Sequence, residues 1–370
     1  VALFVDDPSA PRRDRPVARA GWIVLLIALV IAFVLAIVPA PYVIDKPGPV
    51  FNTLGSTDAV GQQSGKDVPL ISIDGEPVYP TKGSLDLLTV SQVGSPSQRP
   101  NWLGVIRAWF DTSAAVIPID KAFPPQVTQK EVAAQSEAAM VNSQQDAIAA
   151  ALTHLGYDFP ISVSVVGVPD GSPSTGVLEA GDSVDSVNGT AVASIAELRA
   201  ALQKNGAGTE AHIGITRDGA HRTVAVTPTS VGDTVVAGIN VKMEYRFPFD
   251  VEIQLDKVGG PSAGMMFALG IIDKLTPGAI QGGEDVAGTG TIDPSGTVGP
   301  IGGIQQKLYG AKRAGAEWFL APAANCAEVT GHVPDGLTVF AVQTLDDSIT
   351  ALDAIRTGEG VSELPTCPAS

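Results

Sequence analysis

From Ala20 to Ile44 the chain carries no charged residue, and Trp22 to Val38 is apolar at every position. About 20 apolar residues in a helix cross a bilayer core of roughly 30 Å. A helix in a water-soluble fold keeps a polar face, which this run lacks. The run therefore predicts a membrane anchor over residues 20–44, with Trp22 and Tyr42 at the two interfaces. Pro39, Pro41, Pro47 and Pro49 lead out of it into extended chain. Arg12, Arg13, Arg15 and Arg19 precede the run, and Asp45 and Lys46 follow. Basic flanks stay in the cytoplasm, so residues 1–19 are expected inside and the chain after 45 outside the plasma membrane. A cleaved leader has a shorter apolar stretch and an A-x-A-like site, which Ala36 and Ala40 do not make. A single uncleaved anchor is expected.

At 370 residues the chain has room for two or three folded units. Its formal charge of -16, from 23 basic and 39 acidic residues, argues against a nucleic-acid partner. The two cysteines, Cys326 and Cys367, form no C-x-x-C pair, and His154, His212, His221 and His332 are scattered. Neither pattern suits a metal, so no metal and no cofactor is expected. Residues 1–19 read as a Pro/Arg-rich polar tail, 68–122 as short strands, and the Ala/Gln/Glu-rich stretch 131–154 as a helix.

Residues 155–230 have a pattern of their own. Ile161–Val166 alternates like a strand, Ser194–Lys204 reads as a helix, and strands follow near Ala211–Arg217 and Arg222–Thr227. Between them runs G-S-P-S-T-G-V-L-E-A-G-D-S-V-D-S-V-N-G, from Gly171 to Gly189. This run resembles bacterial PDZ domains, which bind a peptide end by adding it as a strand to a sheet edge. The resemblance implies polypeptide partners and places Leu155, Gly156, Tyr157 and Phe159 where a terminal carboxylate would be held. A PDZ fold serving as a spacer or gate is the other reading.

Two segments carry the chemistry. In Val258-Gly-Gly-Pro-Ser-Ala-Gly264 a strand-like run gives way to an apolar helix, so Ser262 stands at a helix mouth. Free N–H groups and the positive end of the dipole gather there, and Gly260 and Ala263 are candidate oxyanion donors. Alone, Ser262 reads equally as an N-cap. The second segment, Ala287-Gly-Thr-Gly-Thr through Gly299-Pro-Ile-Gly-Gly-Ile-Gln-Gln-Lys307 to Gly315, is a glycine-rich turn feeding a helix.

Together these segments resemble the peptidase domain of the Lon family over residues 250–355. The resemblance puts the nucleophile at Ser262, the base at Lys307 and, at Thr289, the threonine that orients that lysine. A hydroxyl needs a base, and lysine serves once burial disfavours its ammonium form. The family's frequent acidic residue three before the serine is Gly259 here. Residues 61–67, Gly-Gln-Gln-Ser-Gly-Lys-Asp, fail the phosphate-loop pattern, so an ATP-independent endopeptidase cutting flexible or unfolded chains is expected. Lon relatives form rings, which implies a homo-oligomer.

The expected architecture is α+β. It comprises a tail (1–19), an anchor (20–44), the first part of the peptidase (45–154), an inserted PDZ domain (155–230), a Lon-type catalytic domain (231–356) and a C-terminal tail (357–370). Two alternatives stand: an inactive PDZ scaffold, and an α/β-hydrolase esterase using Gly260-x-Ser262-x-Gly264 with His332. The exported location also predicts a Cys326–Cys367 disulfide pinning the C-terminal tail.

Overall fold

The computed structural model describes residues 16–58, 68–123, 128–255 and 258–368, without the side chains of 16–20. Most of the expected N-terminal tail and residues 61–67 lie outside the described residues. The chain divides into two compact units, residues 1–48 with 90–132, and residues 49–89 with 133–370.

The chain opens with α1 (Pro16–Ile37), β1 (Tyr42–Asn52), β2 (Ile71–Asp74), β3 (Ser84–Val93), α2 (Trp102–Trp109), β4 (Ala115–Pro118), α3 (Ile119–Ala122) and α4 (Gln129–His154). It continues with β5 (Ile161–Gly167), β6 (Ser183–Val187), β7 (Thr190–Ala191), α5 (Ile195–Asn205), β8 (Ala211–Arg217), β9 (Ala220–Val226), β10 (Thr229–Val231), β11 (Thr234–Val236) and β12 (Asn240–Tyr245). The last part holds β13 (Asp250–Ile253), α6 (Gly264–Leu275), β14 (Asp285–Gly288), β15 (Thr291–Ile292), β16 (Val298–Gly299), α7 (Ile304–Ala314), β17 (Trp318–Pro322), α8 (Cys326–Val329), β18 (Thr338–Val342) and α9 (Leu345–Thr357).

In the first unit, α1 stops at Ile37 and β1 begins at Tyr42, so the helix is shorter than the uncharged run 20–44. Pro39 and Pro41, which cannot donate to a helical ladder, explain the stop. Among the described residues no helix is long and apolar enough to cross a membrane. The described side chains of α1 begin at Gly21 and are largely exposed, Trp22 at 71% and Phe33 at 67%. Asn101 caps α2 by accepting from the Gly104 N–H, and its amide donates to the Ala36 carbonyl, both at 2.8 Å. The rings of Tyr42, Trp102 and Trp109 lie 5.8 to 6.5 Å apart, while Trp109 and Phe110 remain exposed.

In the second unit, one sheet runs in the order β18-β17-β14-β3-β1, with β14 parallel to both β17 and β3. Alternation along the strands feeds two apolar layers. Leu85, Leu87, Val286 and Leu320 pack with α6, while Leu88, Ala287 and Phe319 pack with α7 residues Ile304, Leu308 and Ala311. Every residue of α6 from Gly264 to Asp273 is buried, with α4 and α9 in the same core, which explains its apolar composition. A Cβ on Gly270 would meet Thr53 Cβ and Ile71 Cδ1 at 2.9 Å, so only glycine lets α6 settle there.

A second sheet, β12-β5-β6-β8-β9, spans residues 161–245 and has its own core around Val163, Leu178 and Ile213. The strands on either side of this stretch pair with each other: β2 with β13, and β3 with β14. Residues 161–245 are thus an insertion in the surrounding fold. The C-terminal segment is packed, contrary to its low apolar content. Thr366 bridges to Phe340, the Cys367 N–H donates to the Val339 carbonyl, and Cys367 is disulfide-bonded to Cys326 with Cα atoms 5.0 Å apart.

Candidate active site

Ser262, Thr289 and Lys307 meet at one point. Lys307 projects from α7 and is 2% exposed; its Nζ lies 2.7 Å from Ser262 Oγ and 2.8 Å from Thr289 Oγ1. Thr289 Oγ1 donates its only hydrogen to the Ser262 carbonyl oxygen at 2.9 Å. Thr289 can then only accept from Lys307, which spends one amine N–H on it and leaves Ser262 Oγ as the other polar contact of the nitrogen. Burial pushes the Lys307 pKa down to about 7. Among the described residues no carboxylate is set against that cost, and the ammonium form is disfavoured.

The backbone around the serine is fixed from several sides. The Ser262 carbonyl also accepts from the Gly290 N–H at 3.0 Å, and the Gly290 carbonyl accepts from the Met265 N–H at 3.1 Å. The strand β14 thus delivers Thr289 and Gly290 beside the start of α6. The N-cap of α6 is Ala263, not Ser262, so the hydroxyl of Ser262 is free of a capping role. Its partner is the lysine.

One expected oxyanion donor is corrected. The Gly260 N–H donates to the Ser136 carbonyl of α4 at 2.9 Å and is committed there. Among the described residues no acceptor pairs with the Ala263 N–H, which remains a candidate at the mouth of α6. Gly259 takes the place of the expected acidic residue because a Cβ there would crowd Ser136, at 3.1 Å from its Cβ.

The stretch expected to hold a peptide end lies elsewhere. Leu155, Tyr157 and Phe159 pack against the core that contains α6, with Tyr157 edge-on to Phe249 and Phe159 edge-on to Phe247. The strand they lead into, β5, is flanked by β12 and β6 and offers no open edge. The sheet ends in β12 on one side and β9 on the other, and α5 packs beside β12. Sequence reasoning missed this strand because nothing local in Asn240–Tyr245 reveals its neighbour. His332 is on the turn after α8, where its N–H donates to the Val329 carbonyl.

Residues 255–353 match the family model for the Lon protease (S16) C-terminal proteolytic domain, and residues 136–227 match that for the PDZ domain. Lon protease 1 of Sorangium cellulosum is 38% identical over 117 residues, 30% of this chain and 14% of the relative. Lon protease of Azospirillum brasilense is 42% identical over 91 residues, 24% of this chain and 11% of the relative. The chain thus spans a small part of these relatives' length. A solved PDZ domain, that of the SdrC-like protein of Listeria monocytogenes, is 24% identical, covers 22% of this chain and 86% of its own, and has a TM-score of 0.21.

Proposed function

We propose that the chain is a serine endopeptidase in which Ser262 is the nucleophile and Lys307 the general base. The observation that carries this reading is the buried Lys307 amine 2.7 Å from Ser262 Oγ, with its other contact fixed by Thr289. Neutral Lys307 takes the hydroxyl proton as Oγ attacks a peptide carbonyl carbon. The resulting ammonium then gives that proton to the departing amine nitrogen, leaving an acyl group on Ser262. Water repeats the sequence, with Lys307 again the base, and releases the acid. The Ala263 N–H and the dipole of α6 face the charge that develops on the carbonyl oxygen.

The substrate is a flexible or unfolded polypeptide, and hydrolysis draws on no nucleotide, in keeping with the absence of a G-x-x-x-x-G-K-[ST] string in the sequence. Residues 161–245 recruit an extended segment by strand addition, at the β12 edge, the one with α5 beside it. The uncharged run 20–44, which the described side chains of α1 cover only in part, anchors the chain in a membrane with the N-terminus cytoplasmic and the peptidase outside. The exposed apolar side chains of α1 support this, as does the Tyr42, Trp102 and Trp109 cluster, a composition favoured at bilayer interfaces. Self-association follows the habit of Lon relatives.

Labelling by a serine-reactive phosphonate, together with hydrolysis of an unstructured protein, tests the chemistry. Ser262→Ala and Lys307→Ala should each abolish both, Lys307→Arg should be inactive, and His332→Ala should keep activity. A dead His332→Ala with an active Lys307→Ala would hand the site to the esterase reading. Inertness of the intact protein toward phosphonate and substrate would leave only a scaffold.

A further inference from the structure

Helix α4 is the element that holds the approach to Ser262. Its Ser136 carbonyl accepts from the Gly260 N–H, and its Ser143 hydroxyl donates to the Pro261 carbonyl, both at 2.9 Å. The two residues immediately before the nucleophile are therefore fastened to one helix, at two positions on the same face. Less than one turn beyond Ser143, Asp146 Oδ1 accepts from the Tyr245 hydroxyl at 2.7 Å. Tyr245 is the last residue of β12 and pairs with Ile161 of β5.

The tyrosine is held rigidly. Its ring stacks on Phe247 at 5.4 Å with the planes 8° apart, and Phe159 meets both rings edge-on. Burial, then the hydrogen bond and the nearby carboxylates of Asp146 and Asp293, keeps the phenol protonated and a donor. Asp146 is raised by burial and by Asp293, and lowered by the Tyr245 hydrogen bond. Neither residue touches the reacting atoms.

We propose that Tyr245 and Asp146 are positioning residues that set α4, and through Ser136 and Ser143 the Gly260–Pro261 segment, from the edge strand β12 of the inserted sheet. The proposal rests on the endopeptidase reading and adds a route by which the inserted sheet governs the nucleophile. Because β12 ends in Tyr245, whatever pairs with β12 is one hydrogen bond from the helix that places Ser262.

The test uses the full chain in detergent and an internally quenched, unstructured decapeptide as substrate. Tyr245→Phe, which removes one oxygen, should lower kcat about tenfold, the cost of about 1.4 kcal/mol in the transition state, with KM unchanged. Asp146→Ala should fall equally, while Asp146→Asn, whose amide oxygen still accepts, should stay within about twofold of the parent. Tyr245→Phe combined with Ser143→Ala should lose less than the product of the single losses, because both act through α4. A parental kcat in Tyr245→Phe, a fall in Asp146→Asn matching that of Asp146→Ala, or full additivity with Ser143→Ala would each overturn the proposal. Should Tyr245→Phe not fold, Asp146→Ala against Asp146→Asn decides alone. Hydrolysis by Ser262→Ala would instead defeat the endopeptidase reading itself, independently of these variants.

Discussion

Replacing Lys307 by methionine should kill the enzyme and stabilise the protein, with a pH signature that identifies the cause. Burial lowers the Lys307 pKa from 10.5 to about 7. Between those values the unfolded chain holds a proton that the folded chain has lost, so parental stability rises with pH across this window. It is fully present above 10.5 and falls as pH drops toward 7, by about 1.4 kcal/mol per unit and about 5 kcal/mol over the window. Methionine fills similar space without a charge to desolvate. The two hydrogen bonds it gives up, to Ser262 and Thr289, cost about 1 kcal/mol each. A net gain of about 3 kcal/mol is expected at pH 7. Urea unfolding of both proteins in detergent at pH 7 and pH 9 measures it, and the advantage of Lys307→Met should shrink by about 3 kcal/mol between them. An equal advantage at both values, or a variant less stable at pH 7, would show that Lys307 does not lose its proton by burial. In the parent, kcat/KM should fall below about pH 7 as the amine becomes protonated.

Thr289→Val removes the acceptor that orients the amine and should lower kcat about a hundredfold, whereas Thr289→Ser should keep most activity; steady-state kinetics on one peptide compares them. Opening the Cys326–Cys367 bond by a paired Cys→Ser exchange frees a crosslink of sequence separation 41 and should cost about 4 kcal/mol, read from urea midpoints with the parent unreduced. Recovery of both thiols alkylated from unreduced parent protein would refute that bond. For orientation, a cysteine at exposed Val78 should react with an impermeant thiol reagent on intact cells and one at Ala10 should not; the reverse pattern would invert the anchor.

Structure that depends on near neighbours is legible in the sequence. The Ala/Gln/Glu composition of 131–154 gives α4 at Gln129–His154, and Ser194 caps α5 by accepting from the Glu197 N–H. The alternation of Ile161–Val166 gives β5, and the chain order of Ser262, Thr289 and Lys307 is what brings a serine, its helix mouth and a lysine-bearing helix into one motif. What the sequence could not decide is who meets whom. Strand alternation tells which face is buried but not which strand lies alongside. For that reason Tyr157 and Phe159 look in sequence like a peptide-end pocket, while the fold packs them against Phe249 and Phe247 and leaves β12 at a sheet edge. The apolar character of α6 is visible in its residues, but its burial between sheet and helices is not. The same holds for Gly260, whose N–H looks free at a helix mouth until α4, far away in sequence, claims it through Ser136. Lys307 itself is an ordinary helical lysine in the sequence. Its pKa falls only because packing on the sheet strips it of water, and desolvation is a property of the assembled core that no residue carries alone.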